Sequence, residues 1–234
     1  MTQQRPAHAQ PDHPTVPAPK VGILLANLGT PDNYDYWSMR RYLSEFLSDR
    51  RVIDYSPWKW QPAARTVEPY FDRPDYIEAL ATSIEKAYAK METKPDKLLC
   101  SYHGVPLRYL MEGDPYHCQC QKTTRLLKER LGWDDTQIMT TFQSKFGPEE
   151  WLQPYTVEEV ARQAEAGNKK IAVCAPAFSA DCIETLEEIN EEIKESFEHA
   201  GGEEFHYIPC LNDDDLHIKA LSNVIEENLQ GWID

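Results

Sequence analysis

Four short apolar runs recur along the second half of the chain, each closed by a polar loop containing glycine or proline. They span Lys97–Tyr102, Gln137–Phe142, Lys170–Pro176 and Glu204–Pro209, and unbroken apolar stretches of this length read as strands buried on both faces. Stretches with apolar residues three and four apart follow at Thr123–Leu131, Val157–Ala166, Cys182–Ala200 and Leu216–Trp232, and this spacing predicts helices. Strand and helix alternating four times predicts an α/β lobe over residues 98–234. Its centre is a parallel four-stranded sheet with helices on both faces.

The first half follows a different pattern. Residues 1–20 carry Pro6, Pro11, Pro14, Pro17 and Pro19 with no apolar core, which predicts a disordered tail. From Val21 the chain reads VGILLANLGTP, a buried strand broken by Gly-Thr-Pro. A helix is expected over Ser38–Leu47, and another opens near Pro74 and runs through Ile77, Leu80, Ile84 and Tyr88. Residues 21–97 thus offer one convincing strand, and a lone strand makes no stable sheet. Either it joins the second sheet, or it belongs to an incomplete second α/β lobe.

Composition narrows the setting. The chain has 234 residues, 41% of them hydrophobic, enough for a packed core. Lys and Arg number 24 against 39 Asp and Glu, and a net charge of −15 argues against nucleic-acid binding, which needs basic patches. Cys100, Cys174 and Cys182 sit in or beside apolar runs, as reduced buried thiols do, and no apolar leader is visible. A reducing cytoplasm is the expected compartment. No run approaches the roughly 20 apolar residues of a spanning helix.

Chemistry collects where the strands stop. The loops after the four strands read SYHGVP, TFQSKFGPEEW, PAFSADCIETLEE and IPCLNDDD. Ligands of open α/β sheets bind outside the carboxyl ends of the strands, so these loops predict one crevice holding His103, Gln143, Trp151, Asp181, Glu184 and Asn212. His103 reads either as a hydrogen-bonded strand-end histidine or as a general base. Asp181 and Glu184 have capping-box spacing. On a regular wheel Ile183, Leu186, Ile189, Ile193 and Phe197 form the buried stripe, opposite Asp181, Glu184, Glu188 and Glu195. Those acids are either a solvated face or a ladder of ligands for a divalent cation. Trp151 is either core or one wall of a flat apolar pocket. His117-Cys118-Gln119-Cys120 has the ligand types of a zinc or iron site, but no further pair at zinc-like spacing completes it.

In order and spacing, SYHGVP with GDPY, FQSKFGPEEWL, PAFSADCIETLEE and YIPCLND resemble the ferrochelatase family. NLGTP, followed by a helix and the Trp58–Trp60 segment, is similar to that family's amino-terminal start, so the resemblance spans Val21 to Trp232. It implies insertion of Fe²⁺ into protoporphyrin IX to form protohaem, the last step of haem biosynthesis, by a lyase of two α/β lobes around a porphyrin cleft. By motif it makes His103 and Glu184 catalytic. It assigns His103, Asp181, Glu184 and Glu188 to the metal, and Trp151, Leu28 and Tyr102 to the porphyrin. Leu28, where the coproporphyrin-using branch has tyrosine, favours protoporphyrin. No cofactor beyond the substrate Fe²⁺ is implied, and no [2Fe–2S] cluster is expected without the carboxy-terminal cysteine group of the animal enzymes. Peripheral membrane contact is compatible with the family.

The chain also departs from the family. A long section of the first lobe lies, in the family, between segments like Trp58–Gln61 and Phe71–Ala79, and here only Pro62–Tyr70 spans it. A shortened lobe would leave one wall of the cleft incomplete and apolar surface uncovered. The competing reading is a non-catalytic porphyrin- or metal-binding protein built on the remaining lobe, and a third is a chelatase for another tetrapyrrole or metal.

Overall fold

The computed structural model describes residues 67–231. The strand from Val21, the helix over Ser38–Leu47, Leu28, Trp58, Trp60 and Trp232 lie outside the described residues. In chain order the elements are α1 (Pro74–Tyr88), β1 (Lys97–His103), α2 (Leu107–Met111), α3 (Tyr116–Leu131), β2 (Ile138–Gln143), α4 (Thr156–Glu165) and β3 (Lys170–Cys174). A π-helix (Glu184–Ile193), α5 (Lys194–His199), β4 (Glu204–Ile208) and α6 (Asp215–Leu229) complete them.

All four predicted strands form and pair in parallel, in the order β2-β1-β3-β4. The chain steps one way from β1 to β2 and the other way from there to β3 and β4. Right-handed crossovers therefore place α2 and α3 on one face, and α4, the π-helix and α5 on the other. The apolar side chains divide accordingly. Leu98, Cys100 and Tyr102 pack with Ile77 and Ile84 of α1 and Leu127 of α3. Leu99, Ile171 and Val173 pack with Val160 of α4, Ile189 and Ile193 of the π-helix, and Phe197 of α5. α6 lies against α1, tied by Arg73 to Glu227 and by Asn223 to Asp75. Among the described residues no helix is long and apolar enough to cross a membrane.

Several boundaries differ from the sequence reading. β3 ends at Cys174 instead of Pro176, because proline has no N–H to donate to a ladder. α3 starts at Tyr116, seven residues before the expected Thr123. The polar run His117–Lys122 hides the helix, while the Asp114 carboxylate accepts from the Tyr116 N–H and starts it. Gly132, at φ +68°, closes that helix in the left-handed region where glycine carries no Cβ penalty.

The largest difference lies between Cys182 and Ala200. This segment is helical from Ile183, but its ten residues Glu184–Ile193 are π-helix. Bonds from i to i+5 widen each turn, so the buried residues fall four apart, at Thr185, Ile189, Ile193 and Phe197. Leu186, expected in the buried stripe, is 46% exposed. Widening of the turn rotates it out. Leu186→Gln should leave stability within about 0.5 kcal/mol, whereas Ile189→Ala should cost about 2–5 kcal/mol. Urea unfolding midpoints measure both, and equal costs would mean a regular α-helical turn there.

Candidate active site

Strand alternation decides which end residues meet. Successive side chains point to opposite faces, so Ser101 and His103 of β1 share a face with Thr141 and Gln143 of β2 and with Tyr207 of β4. That face carries the π-helix. His103 and Gln143 are register partners at the last rung of the β1–β2 pair. The Gly104 N–H donates to the Gln143 carbonyl at 2.7 Å. A Cβ on Gly104 would stand 2.8 Å from that oxygen and 3.0 Å from the Trp151 ring. Glycine is needed here for close approach, not for an unusual φ.

His103 is half-buried, and its Nδ1 lies 2.6 Å from the Gly104 carbonyl oxygen. A carbonyl only accepts, so this contact puts the proton on Nδ1 and leaves Nε2 as the acceptor. The His103 carbonyl accepts from the Tyr116 hydroxyl at 2.9 Å, which ties the GDPY turn to the end of β1. The Trp151 ring centroid stands 6.4 Å from that of His103 and 5.0 Å from that of Phe146. Trp151 itself is only 5% exposed, whereas Phe146 is 75% exposed. Of the two readings for Trp151, its burial fits core, and Phe146 extends the aromatic contact outward.

Gln143 gathers the acids. Its Nε2 donates to the Glu184 carbonyl at 2.7 Å and to Glu188 Oε2 at 3.2 Å, while its Oε1 accepts from Ser101 Oγ at 2.6 Å. Glu188 also accepts from the Ser144 N–H at 2.6 Å and from Ser144 Oγ at 2.5 Å. Ser144 adopts φ +63°, an uncommon conformation for a residue with a Cβ. The Glu188 carboxylate holds it there. Glu184 lies beside the Cys182 thiol, whose pKa is pushed up to about 12, first by burial and then by that carboxylate. Glu187 is also raised, by burial and then by its acidic neighbours Glu192, Glu191 and Glu188. Such a helix is a local centre of negative potential that attracts cations.

Asp181 has a different occupation. Its Oδ1 accepts from the Tyr207 hydroxyl at 2.5 Å and the Cys210 N–H at 3.1 Å, with Thr185 Oγ1 at 3.3 Å. Its Oδ2 accepts from Asn212 Nδ2 at 2.7 Å, and Asn212 Oδ1 accepts the Asp181 N–H in return. A carboxylate has about four lone-pair sites, so these contacts fill Asp181. They also undo the expected capping box: the π-helix has no side-chain cap, and Thr185 Oγ1 accepts the Cys182 N–H. Of the four acids expected on one face, Asp181 and Glu188 turn inward to donors, while Glu195 is exposed to solvent.

The remaining expectations divide. Tyr102 points to the opposite face from His103, 1% exposed, with its hydroxyl 2.9 Å from Thr124 Oγ1. Its ring borders a cavity of about 310 Å³ between the carboxyl ends of β1 and β3, also lined by Tyr70, Tyr76, Tyr116, Pro176 and Ser179. The strand order reverses direction between β1 and β3, so this is the topological switch point where open α/β sheets place ligands. Cys118 is exposed and Cys120 buried, on different sides of α3, and burial pushes the Cys120 thiol up to about 12. Among the described residues no three His, Cys, Asp or Glu side chains converge as a ready-made metal site. The sequence reading missed Ser101, Ser144, Phe146 and Tyr207. Ser144 had a signal in its position between Gln143 and Lys145 at a strand end, while Tyr207 had none.

Comparison with known proteins adds the following. The family model "Ferrochelatase" matches residues 20–65 and 56–229, in two pieces that overlap. A protein named ferrochelatase from Rhodobacter capsulatus is 49% identical over 342 aligned positions, covering 97% of this chain and 97% of the relative. One from Rhizobium leguminosarum bv. trifolii is 40% identical over 344 positions, with 99% of each covered. One from Rhizobium meliloti is 38% identical over 337, covering 96% of this chain and 99% of the relative.

The Asp181 contacts carry a prediction. Burial raises its pKa, but the bonds from Tyr207, Asn212 and Cys210 outweigh that and hold the carboxyl below its usual value. A depressed pKa contributes stability above the unfolded value of about 3.9, lost as pH falls through the folded value. Asp181→Asn should cost about 1–3 kcal/mol at pH 7, and the difference should shrink as the pH falls below the unfolded value of about 3.9. Urea unfolding across pH measures it; a cost that does not change with pH would refute the assignment.

Proposed function

The chain belongs to the ferrochelatase family, and on that premise we propose that it inserts Fe²⁺ into protoporphyrin IX to form protohaem. The observation that carries the reading is the shared face at the carboxyl ends of the strands. There His103, with its proton held on Nδ1, stands on the strand next to Gln143, which bonds the acid-bearing π-helix.

Metallation must remove two pyrrole N–H protons and strip water from the cation. His103 Nε2 is suited to the first task, because the Gly104 carbonyl fixes the tautomer and leaves that nitrogen basic. Glu184 and Glu188, four residues apart along the π-helix, are suited to the second, since carboxylate oxygens replace water on a divalent cation. Asp181 serves in this proposal by holding the loop after β4 and the start of the π-helix. Phe146 over Trp151 supplies an apolar aromatic wall against which a flat macrocycle can rest. The iron is substrate here, and the proposal requires no resident cofactor or cluster.

Two facts support a shortened first lobe within this proposal. The pieces of the family match overlap at residues 56–65, which run from the Trp58–Gln61 segment into the start of the stretch where the sequence motifs jump. The alignment to the Rhodobacter capsulatus relative runs over 342 positions against a chain of 234 residues, so that relative has positions for which this chain has no residue. The comparisons do not favour the second reading, porphyrin binding without turnover. One experiment separates the two. With Fe²⁺ and protoporphyrin IX under exclusion of air, the chain should form protohaem, followed by its absorbance. His103→Ala should lower turnover by about 10²–10⁴-fold, the usual worth of a general base, while porphyrin still binds by fluorescence quenching. Binding without turnover in the parent chain would establish the second reading, and full turnover in His103→Ala would remove the proton-acceptor role.

A further inference from the structure

We propose that Gln143 is a positioning residue that sets the orientation of Glu188 and anchors the first turn of the π-helix, with Ser144 as its second contact. The inference rests on the reading of Glu184 and Glu188 as the carboxylates that handle the cation. It goes beyond that reading by assigning what holds them.

Four bonds converge on this one residue. Its main-chain oxygen takes the Gly104 N–H beside His103. Its side-chain oxygen takes the Ser101 hydroxyl, and its side-chain nitrogen gives to the Glu184 carbonyl and to Glu188. The amide orientation follows from the partners: two acceptors lie on one side and a hydroxyl on the other, so nitrogen must face the helix. Gln143 is 4% exposed and Ser101 fully buried, so these bonds are made away from competing water. Ser101 is backed in turn by Thr156 Oγ1 at 2.9 Å, which reaches Thr141 Oγ1 at 2.9 Å. A chain of buried hydroxyls therefore fixes the amide before the amide fixes the acid.

The chemical role follows from the geometry. Glu188 receives three donors, one from Gln143 and two from Ser144, all on the side of the β2 loop. An ionised carboxylate held by several donors keeps one orientation as a cation passes, instead of swinging to solvent. The bond to the Glu184 carbonyl does the same for the helix backbone. That carbonyl lies in the first turn, and pinning it sets where the Glu184 side chain emerges. Position of the acids is thereby coupled to the strand that bears His103.

The test uses the full chain and two variants. Gln143→Met keeps the length of the side chain and removes all its polar contacts. Ser144→Ala removes one donor to Glu188 and leaves Gln143 intact. Bonds to a charged group are worth about 1.5–3 kcal/mol, so Gln143→Met should lower kcat for Fe²⁺ insertion by about 10- to 100-fold. Ser144→Ala should lower it several-fold. Porphyrin affinity by fluorescence quenching should move less than about twofold, a split that general loss of structure would not give. Hydrogen exchange of amides 184–193 should accelerate in both variants, with α1 and α3 unchanged. The inference is overturned if both variants insert iron at the parent's rate, or if porphyrin affinity falls in step with kcat. Should the parent chain itself form no protohaem, the proposed activity fails separately. Exchange over 184–193 then decides the inference alone, and an unaltered rate in both variants overturns it.

Discussion

The alternation of side chains along a parallel strand is the constraint from which the site follows. A side chain one residue along a strand belongs to the other face. Ser101, His103, Gln143 and Tyr207 fall on the face that carries α4, the π-helix and α5. Tyr102, beside His103 in sequence, falls on the face of α1 and α3 and joins that core. The parallel register adds the second half of the constraint, by setting His103 opposite Gln143 on the last rung. Chemistry at a sheet end needs no long-range folding of loops when the rungs already align the residues.

Onto this frame the π-helix adds a helix of unusual pitch. Wide turns are costly in packing, and they recur at functional sites because they move side chains relative to a regular helix. Here the effect is visible in two directions. Ile189, Ile193 and Phe197 stay in the core, while Leu186 turns out and Glu188 turns toward the β2 loop. The wide turn and the bonds from Gln143 and Ser144 support one another. Without those donors an inward-facing carboxylate would be left partly desolvated and unpaired, which is unfavourable. Without the wide turn, the acid would not meet them.

Much of this was legible in the sequence, and the reasons are physical. The strands were readable because strands buried on both faces must be apolar throughout, as Leu98–Cys100 and Ile171–Cys174 are. α1 was readable from Pro74 and its spacing. The motif order led to the family, and His103, Gln143 and the acids were readable from where apolar runs stop. What was not legible depends on contacts between distant segments. The capping-box spacing of Asp181 and Glu184 is a local signal, and it loses to donors supplied by Tyr207, Cys210 and Asn212 from beyond β4. A helical wheel assumes a regular pitch, so Leu186 was misplaced. That Tyr102 faces away from His103, toward α1 and α3, follows from strand alternation.

The acids also divide their work according to how many donors each receives. Asp181 spends both oxygens inside the fold, on a hydroxyl, a main-chain N–H and a side-chain amide. Glu188 spends its oxygens on the β2 loop, through contacts that orient it. Glu184 contributes its main-chain carbonyl to Gln143 and leaves its carboxylate beside the Cys182 thiol, a weak partner. A saturated carboxylate is a strut, because a cation would have to displace several bonds at once to bind it. A carboxylate with a weak partner can exchange ligands at little cost. The number of donors therefore separates the three: Asp181, just ahead of the helix, is saturated, Glu188 is held by three donors from the β2 end, and Glu184 keeps a weak partner in the thiol.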